Sequence, residues 1–303
     1  MIRATGVLLV LALLGAPLVA WLGGPSYPML VVTRGAVFAI AAVSLQFMLG
    51  FGGLVSFGHA AVMGIGAYTV LANDGRDLLL VVPLAMAAAA AFAAVTGVVS
   101  LRTGGVTYIM ITLAFGQMAY FVAQAWAPFG GDDGMALDGR STVFGADVLS
   151  GRYGFYAAVV VALGIWGFGL RVLARSRFGR ALRASSGNAA RTTALGFDVF
   201  RLRLAATAVG GAGGGLAGVF LANASEFVSP AVLDWRASGH VLVMVILGGR
   251  GVLGRSIDGQ ILGAAAAAIG LIAAEEGLAI WSQHGALLLG PVLIVAALAG
   301  RRR

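Results

Sequence analysis

The sequence predicts an all-α integral membrane protein, a polytopic bundle of about ten transmembrane helices in a single domain spanning 1–303. Sixty per cent of the 303 residues are hydrophobic and only 11% are charged, so the chain cannot supply the charged surface of a soluble domain of this length. Apolar stretches of roughly 20 residues, the length that crosses a bilayer, recur along it. Its 47 glycines are about double the usual share.

Ten segments are predicted to span the membrane. They are 5–22, 29–49, 54–72, 78–101, 106–126, 153–174, 203–224, 239–256, 259–276 and 285–300. The third and eighth are the weakest, because both are rich in glycine and the apolar run 241–247 is too short to cross unaided. The first also resembles a signal peptide, but further spans follow at once, which favours an uncleaved helix.

The distribution of charge predicts which side each loop faces. The net charge is +8 and every basic residue is arginine. Arginines concentrate in segment 175–202 and in the tail 301–303, as the positive-inside rule expects of cytoplasmic segments. The longest loop of the other side, 127–152, carries four aspartates. Both termini are therefore predicted to be cytoplasmic, and the placement of the arginines argues for membrane lipid and against nucleic acid as a partner.

Two stripes of small residues predict close helix–helix packing. The first contains Gly52, Ser56, Ala60 and Gly64, and the second contains Gly210, Gly214 and Gly218. Residues four apart share one helix face, and small side chains let membrane helices approach closely. The run 210–215 superficially resembles a phosphate-binding loop but lacks the Lys-Ser/Thr ending, so helix packing is the preferred interpretation.

The arginine-rich segment 175–202 contains a predicted amphipathic helix. Between 177 and 191, Phe178, Leu182 and Ser185 cluster on one face while the arginines fall on the other. Two interpretations are open from the residues alone. Such a helix can lie on the anionic inner leaflet, or its apolar face can dock into a groove on a cytoplasmic protein.

Four stretches resemble the permease subunits of bacterial ABC importers for hydrophobic (branched-chain) amino acids. They are GLVSFGHAAVMGIGAY at 53–68, LRTGGVTYIMITLAFGQM at 101–118, FGRALRA at 178–184 continuing to ALG at 194–196, and GGRGVLG at 248–254. Their order and spacing cover nearly the whole chain. The outer segment GGDDG at 130–134 is similar to that of the "M-type" member of the permease pair.

The resemblance implies a heteromeric importer in the bacterial inner membrane. Its partners would be a second related permease, two cytoplasmic ABC ATPase subunits and a periplasmic or lipid-anchored substrate-binding protein. Segment 178–200 would be the coupling element on an ATPase, with the residues Phe178, Gly179, Ala181, Leu182, Ala189 and Gly196. The general Glu-Ala-Ala pattern of ABC importers is replaced here by Asn188-Ala189-Ala190. Branched-chain amino acids are the leading substrates, and urea, short amides and aromatic acids are alternatives.

A few polar residues inside predicted spans are candidates for a translocation path. They are Ser56, His59, Thr107, Tyr108, Thr112 and Gln117. Polar membrane residues usually face the bundle interior, but many only hydrogen-bond a neighbouring helix, and for His59 such a structural role is the leading interpretation. In the outer loop, Asp132 and Asp133 could contact the binding protein or form a solvated turn.

Other functional classes lack their expected residues. The chain has no cysteine and shows no cluster of metal ligands or catalytic groups, so neither an enzyme nor a bound metal or cofactor is expected. A proton-coupled secondary transporter would carry a relay of buried Asp, Glu or His, whereas no acid falls deep in a clearly predicted span, and a channel would need a selectivity ring or filter. An ATP-driven permease needs neither, since its energy comes from partner subunits.

Overall fold

Long runs of apolar, helix-favouring residues form ten α-helices in the described part of the chain. The computed structural model describes residues 13, 15, 27–73, 76–249 and 256–281. The predicted spans 5–22 and 285–300, the tail 301–303 and most of the glycine-rich stretch 248–254 lie outside the described residues. The bounds of the helices are α1 Tyr27–Gln46, α2 His59–Ala72, α3 Leu78–Ser100, α4 Val106–Ala125, α5 Arg152–Arg175, α6 Arg177–Gly187, α7 Ala189–Ala194, α8 Val199–Ser225, α9 Trp235–Gly249 and α10 Ile257–Trp281.

Short elements complete the described chain. A π-helix, Phe47–Phe51, continues α1, and two 3₁₀ turns lie at Ala127–Phe129 and Pro230–Leu233. Strands β1, Met135–Ala136, and β2, Phe227–Val228, pair antiparallel. This small ribbon joins the loop after α4 to the loop after α8, at one end of the bundle.

The prediction of a polytopic helical membrane protein is confirmed. Six of the described helical segments are long and apolar enough to cross a bilayer, namely α1 with its π-helix, α3, α4, α5, α8 and α10. The helices at the two weakest predicted spans, α2 and α9, are shorter. Fourteen residues of helix, as in α2, extend about 21 Å against a hydrocarbon core of about 30 Å. The count of ten crossings stays a prediction.

Helices α1 and α8 form the centre of the bundle. In the span Tyr27–Phe51, 78% of the most apolar window is buried, and in α8 67%, against 22% in α4 and in α5. Helix α8 packs on α3, α2 and α1, while α10 packs on α1 and α9. The outer helices α4 and α5 therefore leave most of their apolar surface uncovered within this chain, which suits contact with lipid or with another membrane subunit.

The two ends of the bundle are held by different ionic contacts. We call the end that carries the arginine-rich segment the inner end, and the opposite end the outer end. At the inner end, Asp258 accepts hydrogen bonds from Arg171 at 2.7 and 2.9 Å and from Arg175 at 2.7 Å. At the outer end, Arg34 pairs with Glu276 at 2.8 Å. Each contact joins helices that are distant in sequence.

Candidate functional site

The third predicted span is not one continuous helix. Helix α2 begins only at His59, and residues 53–58 are non-helical, so the prediction that Gly52 and Ser56 share a helix face with Ala60 and Gly64 is wrong. The cause is local: Gly53 has a φ of +69°, a conformation that glycine adopts without strain. The chain leaves the π-helix here and rises into the bundle before it becomes helical again.

Side chains from distant helices hold this non-helical segment. Thr112 Oγ1 accepts a hydrogen bond from the Phe57 amide at 3.1 Å, and Ser238 Oγ accepts one from the Ala60 amide at 2.8 Å. The Ser56 hydroxyl accepts a hydrogen bond from the amide of Gly58 at 3.2 Å. Backbone polar groups at membrane depth must be satisfied within the protein, so these three hydroxyls explain why an interrupted helix is tolerated here.

His59 fixes the depth of the interruption. Its Nε2 lies 3.1 Å from the carbonyl oxygen of Ala41, and the side chain is fully enclosed, with 2% exposed. A carbonyl oxygen only accepts hydrogen bonds, so Nε2 is the donor in this contact. Ala41 lies near the middle of the helical run Tyr27–Phe51. The first turn of α2 therefore starts close to mid-depth of the bundle.

A small cavity lies beside this first turn. Four of the six residues predicted for a translocation path line it together: Ser56, His59, Tyr108 and Thr112. Its volume of about 30 Å³ has room for roughly two water-sized groups. Gly58 closes one wall, because a β-carbon there would lie 3.0 Å from the Thr112 carbonyl oxygen.

The other two predicted residues lie elsewhere. Thr107 is exposed at the start of α4. Gln117 is half-buried and does not line the cavity, although its Nε2 is enclosed without a hydrogen-bond partner among the described residues. Sequence reasoning missed three further polar residues of the wall, Thr96, Ser100 and Thr207. Thr96 and Ser100 lie in α3 and Thr207 in α8, both predominantly apolar helices, and only a comparison of the faces of α3 and α8 with that of α4 could have indicated these hydroxyls.

The glycines of the second stripe lie against backbone and side chains of neighbouring helices. A β-carbon on Gly218 would overlap the Met63 carbonyl group of α2. One on Gly210 would meet Met48, and one on Gly214 would meet Val62. In the first stripe, Gly64 faces Leu233 and Ala60 is fully buried. Helices α2 and α8 thus touch at backbone distance beside the cavity.

The predicted coupling helix α6 packs on its own chain. Ser176 caps it, accepting from the Gly179 amide. Gly179, Ala181 and Leu182 are buried, and Leu182 faces Gly52 at the base of the non-helical segment. The Arg183 guanidinium stacks 4.9 Å above the Phe51 ring. The predicted apolar face exists, but burial of these three residues within the chain does not suit a direct contact with another protein.

The exposed part of the arginine-rich segment comes after α6. Ala189 in α7 and Gly196 beyond it are both exposed, while Phe178 is half-buried. Three large apolar side chains follow on the surface, Leu195 with 69%, Phe197 with 44% and Phe200 with 37% exposed. We call Ala189, Leu195, Gly196, Phe197 and Phe200 the inner patch. It is an apolar surface at the end of the bundle where the positive charge lies.

Asp132 and Asp133 are exposed on the outer loop. Asp132 accepts a hydrogen bond from Gln124 Nε2 at 2.8 Å. The same loop is anchored to α8, because Asn223 Oδ1 accepts from the Ser141 amide at 2.8 Å in a buried contact. The two carboxylates therefore sit on a surface held in place by the bundle. Within the described residues, acids and histidines form no group of three that could hold a metal ion.

The structure combines an interrupted helix near mid-depth with a small cavity lined by several hydroxyl groups, an arrangement that is typical of membrane transporters. Residues 27–298 match the family described as the permease component of the branched-chain amino acid transport system. The chain belongs to this family and is a multi-pass membrane protein.

Individual relatives agree with the family assignment. The chain is 27% identical over 293 residues to the high-affinity branched-chain amino acid transport permease LivM of Salmonella typhimurium and 28% identical over 295 residues to LivM of Escherichia coli, covering 88% of this chain and 67% of each relative. It is 29% identical to the corresponding permease BraD of Pseudomonas aeruginosa, over 78% of this chain and 83% of that relative. No solved structure matches the chain significantly.

Proposed function

We propose that this chain is the M-type permease subunit of an ATP-driven importer that carries branched-chain amino acids across the bacterial inner membrane. The observation that carries the proposal is the family match over nine-tenths of the chain, 27–298, with three relatives whose names give that transport activity. The described cavity wall contains no aspartate or glutamate, and its one imidazole, His59, is hydrogen-bonded to the Ala41 carbonyl oxygen. This composition supports an external energy source, because ion-coupled carriers use relays of buried ionisable groups. A second permease, two ATPases, a binding protein and cytoplasmic termini belong to the proposal.

Uptake of labelled leucine tests it. Cells with and without the gene are compared before and after ATP depletion, with the proton gradient held constant. Loss of uptake on deletion and on ATP depletion is the expected result. ATP-dependent leucine uptake that survives deletion would refute leucine as a substrate of this permease and favour urea, short amides or aromatic acids. Gene-dependent uptake that survives ATP depletion would refute an ABC importer.

The inner patch is the proposed contact with the ATPase, and α6 is the proposed link from that contact to the cavity. Leu182 and Arg183 of α6 pack on Gly52 and Phe51, directly below the segment that leads to His59. A displacement of α6 would therefore reach the first turn of α2 through six non-helical residues, 53–58. Leu182 has a role inside the permease in this proposal, while the exposed side chains make the intermolecular contact.

Co-purification of the ATPase separates these roles. Phe197→Asp should lose the ATPase from the purified complex, because it places a charge in an apolar contact. Phe144→Asp is a matched control, since Phe144 is 85% exposed but lies on the outer loop. Retention of the ATPase by Phe197→Asp would refute the proposed contact.

The outer carboxylates Asp132 and Asp133 are the proposed contact with the binding protein. Charge complementarity at such surfaces chiefly raises association rates. Replacing both with asparagine should raise the concentration of binding protein needed for half-maximal uptake and leave the maximal rate unchanged. An unchanged half-maximal concentration would contradict this role.

A further inference from the structure

A wide apolar groove adjoins the small polar cavity. The groove has a volume of about 350 Å³ and lies towards the outer end of α2 and α4, where Ile65, Tyr68 and Met118 line it. Phe92 and Phe115 line both spaces, so these two rings stand between the groove and the cavity. An apolar space near the outer end therefore adjoins the mid-depth cavity at these two rings.

The polar space favours an anionic group. It contains the N-terminal turn of α2, which carries the positive end of the helix dipole. Gly58 is the N-cap and has no side chain to accept hydrogen bonds from the amides of this turn. Ser238 accepts a hydrogen bond from the amide of Ala60, and Gly58 provides no side-chain acceptor for the other amides of the first turn. Interrupted membrane helices of this kind present their N-termini to anionic substrate groups in other transporters.

Two enclosed hydroxyl groups give independent evidence that the cavity accommodates a polar ligand. Ser100 is 1% exposed, lines the cavity, and its hydroxyl has no hydrogen-bond partner among the described residues. The Tyr108 hydroxyl is also enclosed; it lies near Thr207 without completing a hydrogen bond in the structure. Buried polar groups are normally satisfied, so unpaired donors beside a helix N-terminus indicate a group that accepts hydrogen bonds.

We propose that the groove and the cavity together form a substrate site for an aliphatic α-amino acid, with its side chain in the groove and its carboxylate at the first turn of α2. The proposal rests on the function proposed above. The apolar volume is within the range of small-molecule sites, and the cavity has room for about two water-sized groups, as two carboxylate oxygens require. Phe92 and Phe115 contact the substrate backbone between the two ends.

The groove half of the proposal is tested in proteoliposomes containing the complete complex and its binding protein. Ala119 lines the groove, so the larger side chain in Ala119→Phe should reduce the volume of the groove. The ratio of leucine to valine uptake should then fall at least threefold. Ala114→Phe is the matched control, because Ala114 is exposed on the same helix and is not part of the groove. It should leave the ratio unchanged. An unchanged ratio in Ala119→Phe, or a loss of assembled complex that identifies the groove as a subunit interface, would overturn this half.

Ser100→Ala tests the carboxylate half. Since this hydroxyl has no partner, a purely structural role predicts unchanged uptake and unchanged stability. Our proposal predicts a fall of roughly tenfold in the maximal uptake rate, the effect of losing a hydrogen bond to a charged group, with ATPase stimulation by the binding protein retained. Unchanged uptake would overturn the carboxylate contact. Absence of ATP-dependent uptake by the unsubstituted complex would refute the proposed function itself, whereas normal transport by both variants would refute only the site.

Discussion

Substitution of Gly218 by alanine tests the close contact between α2 and α8. A β-carbon on Gly218 would overlap the carbonyl oxygen of Met63 and lie 2.8 Å from its carbon and 2.9 Å from the Ala67 nitrogen. All three are backbone atoms of α2, so rotation of a side chain cannot relieve the overlap. The two helices must separate instead.

The expected cost follows from two opposing terms. Overpacking of a well-packed interior costs about 1–3 kcal/mol, and the loss of glycine flexibility within a helix returns about 0.5–1 kcal/mol. With the middle of each range, Gly218→Ala should destabilise the chain by about 1 kcal/mol. Gly164→Ala is the matched control, because Gly164 lies within α5 with no described atom within 4 Å of the added carbon. It should stabilise by about 0.5–1 kcal/mol.

Thermal unfolding of the two variants in detergent gives the measurement. The midpoint of Gly218→Ala should fall below that of the unsubstituted protein, and the midpoint of Gly164→Ala should equal or exceed it. Equal midpoints for the two variants would show that α2 and α8 are not in backbone contact and would refute the packing described for Gly218.

Three other substitutions test hydrogen bonds and ion pairs of the bundle. Ser238→Ala leaves the buried amide of Ala60 without an acceptor and should cost about 1–3 kcal/mol, seen as a lower thermal midpoint; Ser238→Thr retains the hydroxyl and should restore it. Asp258→Asn removes the charge that binds Arg171 and Arg175 ahead of α6. Asp258→Asn should reduce substrate uptake by a larger factor than it reduces ATP hydrolysis, while Asp258→Glu should retain the coupling of the two. Equal losses of uptake and of ATP hydrolysis would contradict a positioning role for Asp258. Glu276→Gln breaks the pair with Arg34, whose side chain is 56% exposed, and should change the thermal midpoint by less than the equivalent of about 1 kcal/mol.

The sequence predicts a helical span correctly where one continuous apolar run forms one helix. The predicted spans 78–101, 106–126 and 153–174 correspond closely to α3, α4 and α5, because every residue of a membrane helix satisfies its backbone locally. The interruption before His59 was not predictable from the same reasoning. Its backbone is satisfied by Thr112 and Ser238, 55 and 178 residues away from their partners, and a hydropathy pattern does not contain such contacts.

The candidate site was partly predictable for a similar reason. Ser56 and His59 stand out as polar groups in a small-residue stripe, and Tyr108 and Thr112 as polar groups in a predicted span. Ser100 lies at the end of an apolar helix, where a hydroxyl is unremarkable in sequence. For α6, the helical period places Leu182 and Ser185 on one apolar face, but periodicity does not specify what covers that face. The sequence predicts the inner leaflet or a partner protein as this cover, whereas Leu182 packs on Gly52 of its own chain.

The glycine contacts between α2 and α8 determine which helices can move. Backbones in direct contact leave no side-chain layer that could repack in two ways, so α2 and α8 would travel as one rigid body. Helix α4 supplies Tyr108 and Thr112 to the opposite wall of the cavity and is only 22% buried in its apolar window. Any conformational change that opens the cavity to alternate sides of the membrane would then take the form of a hinge or shear displacement between α4 and the α2–α8 pair.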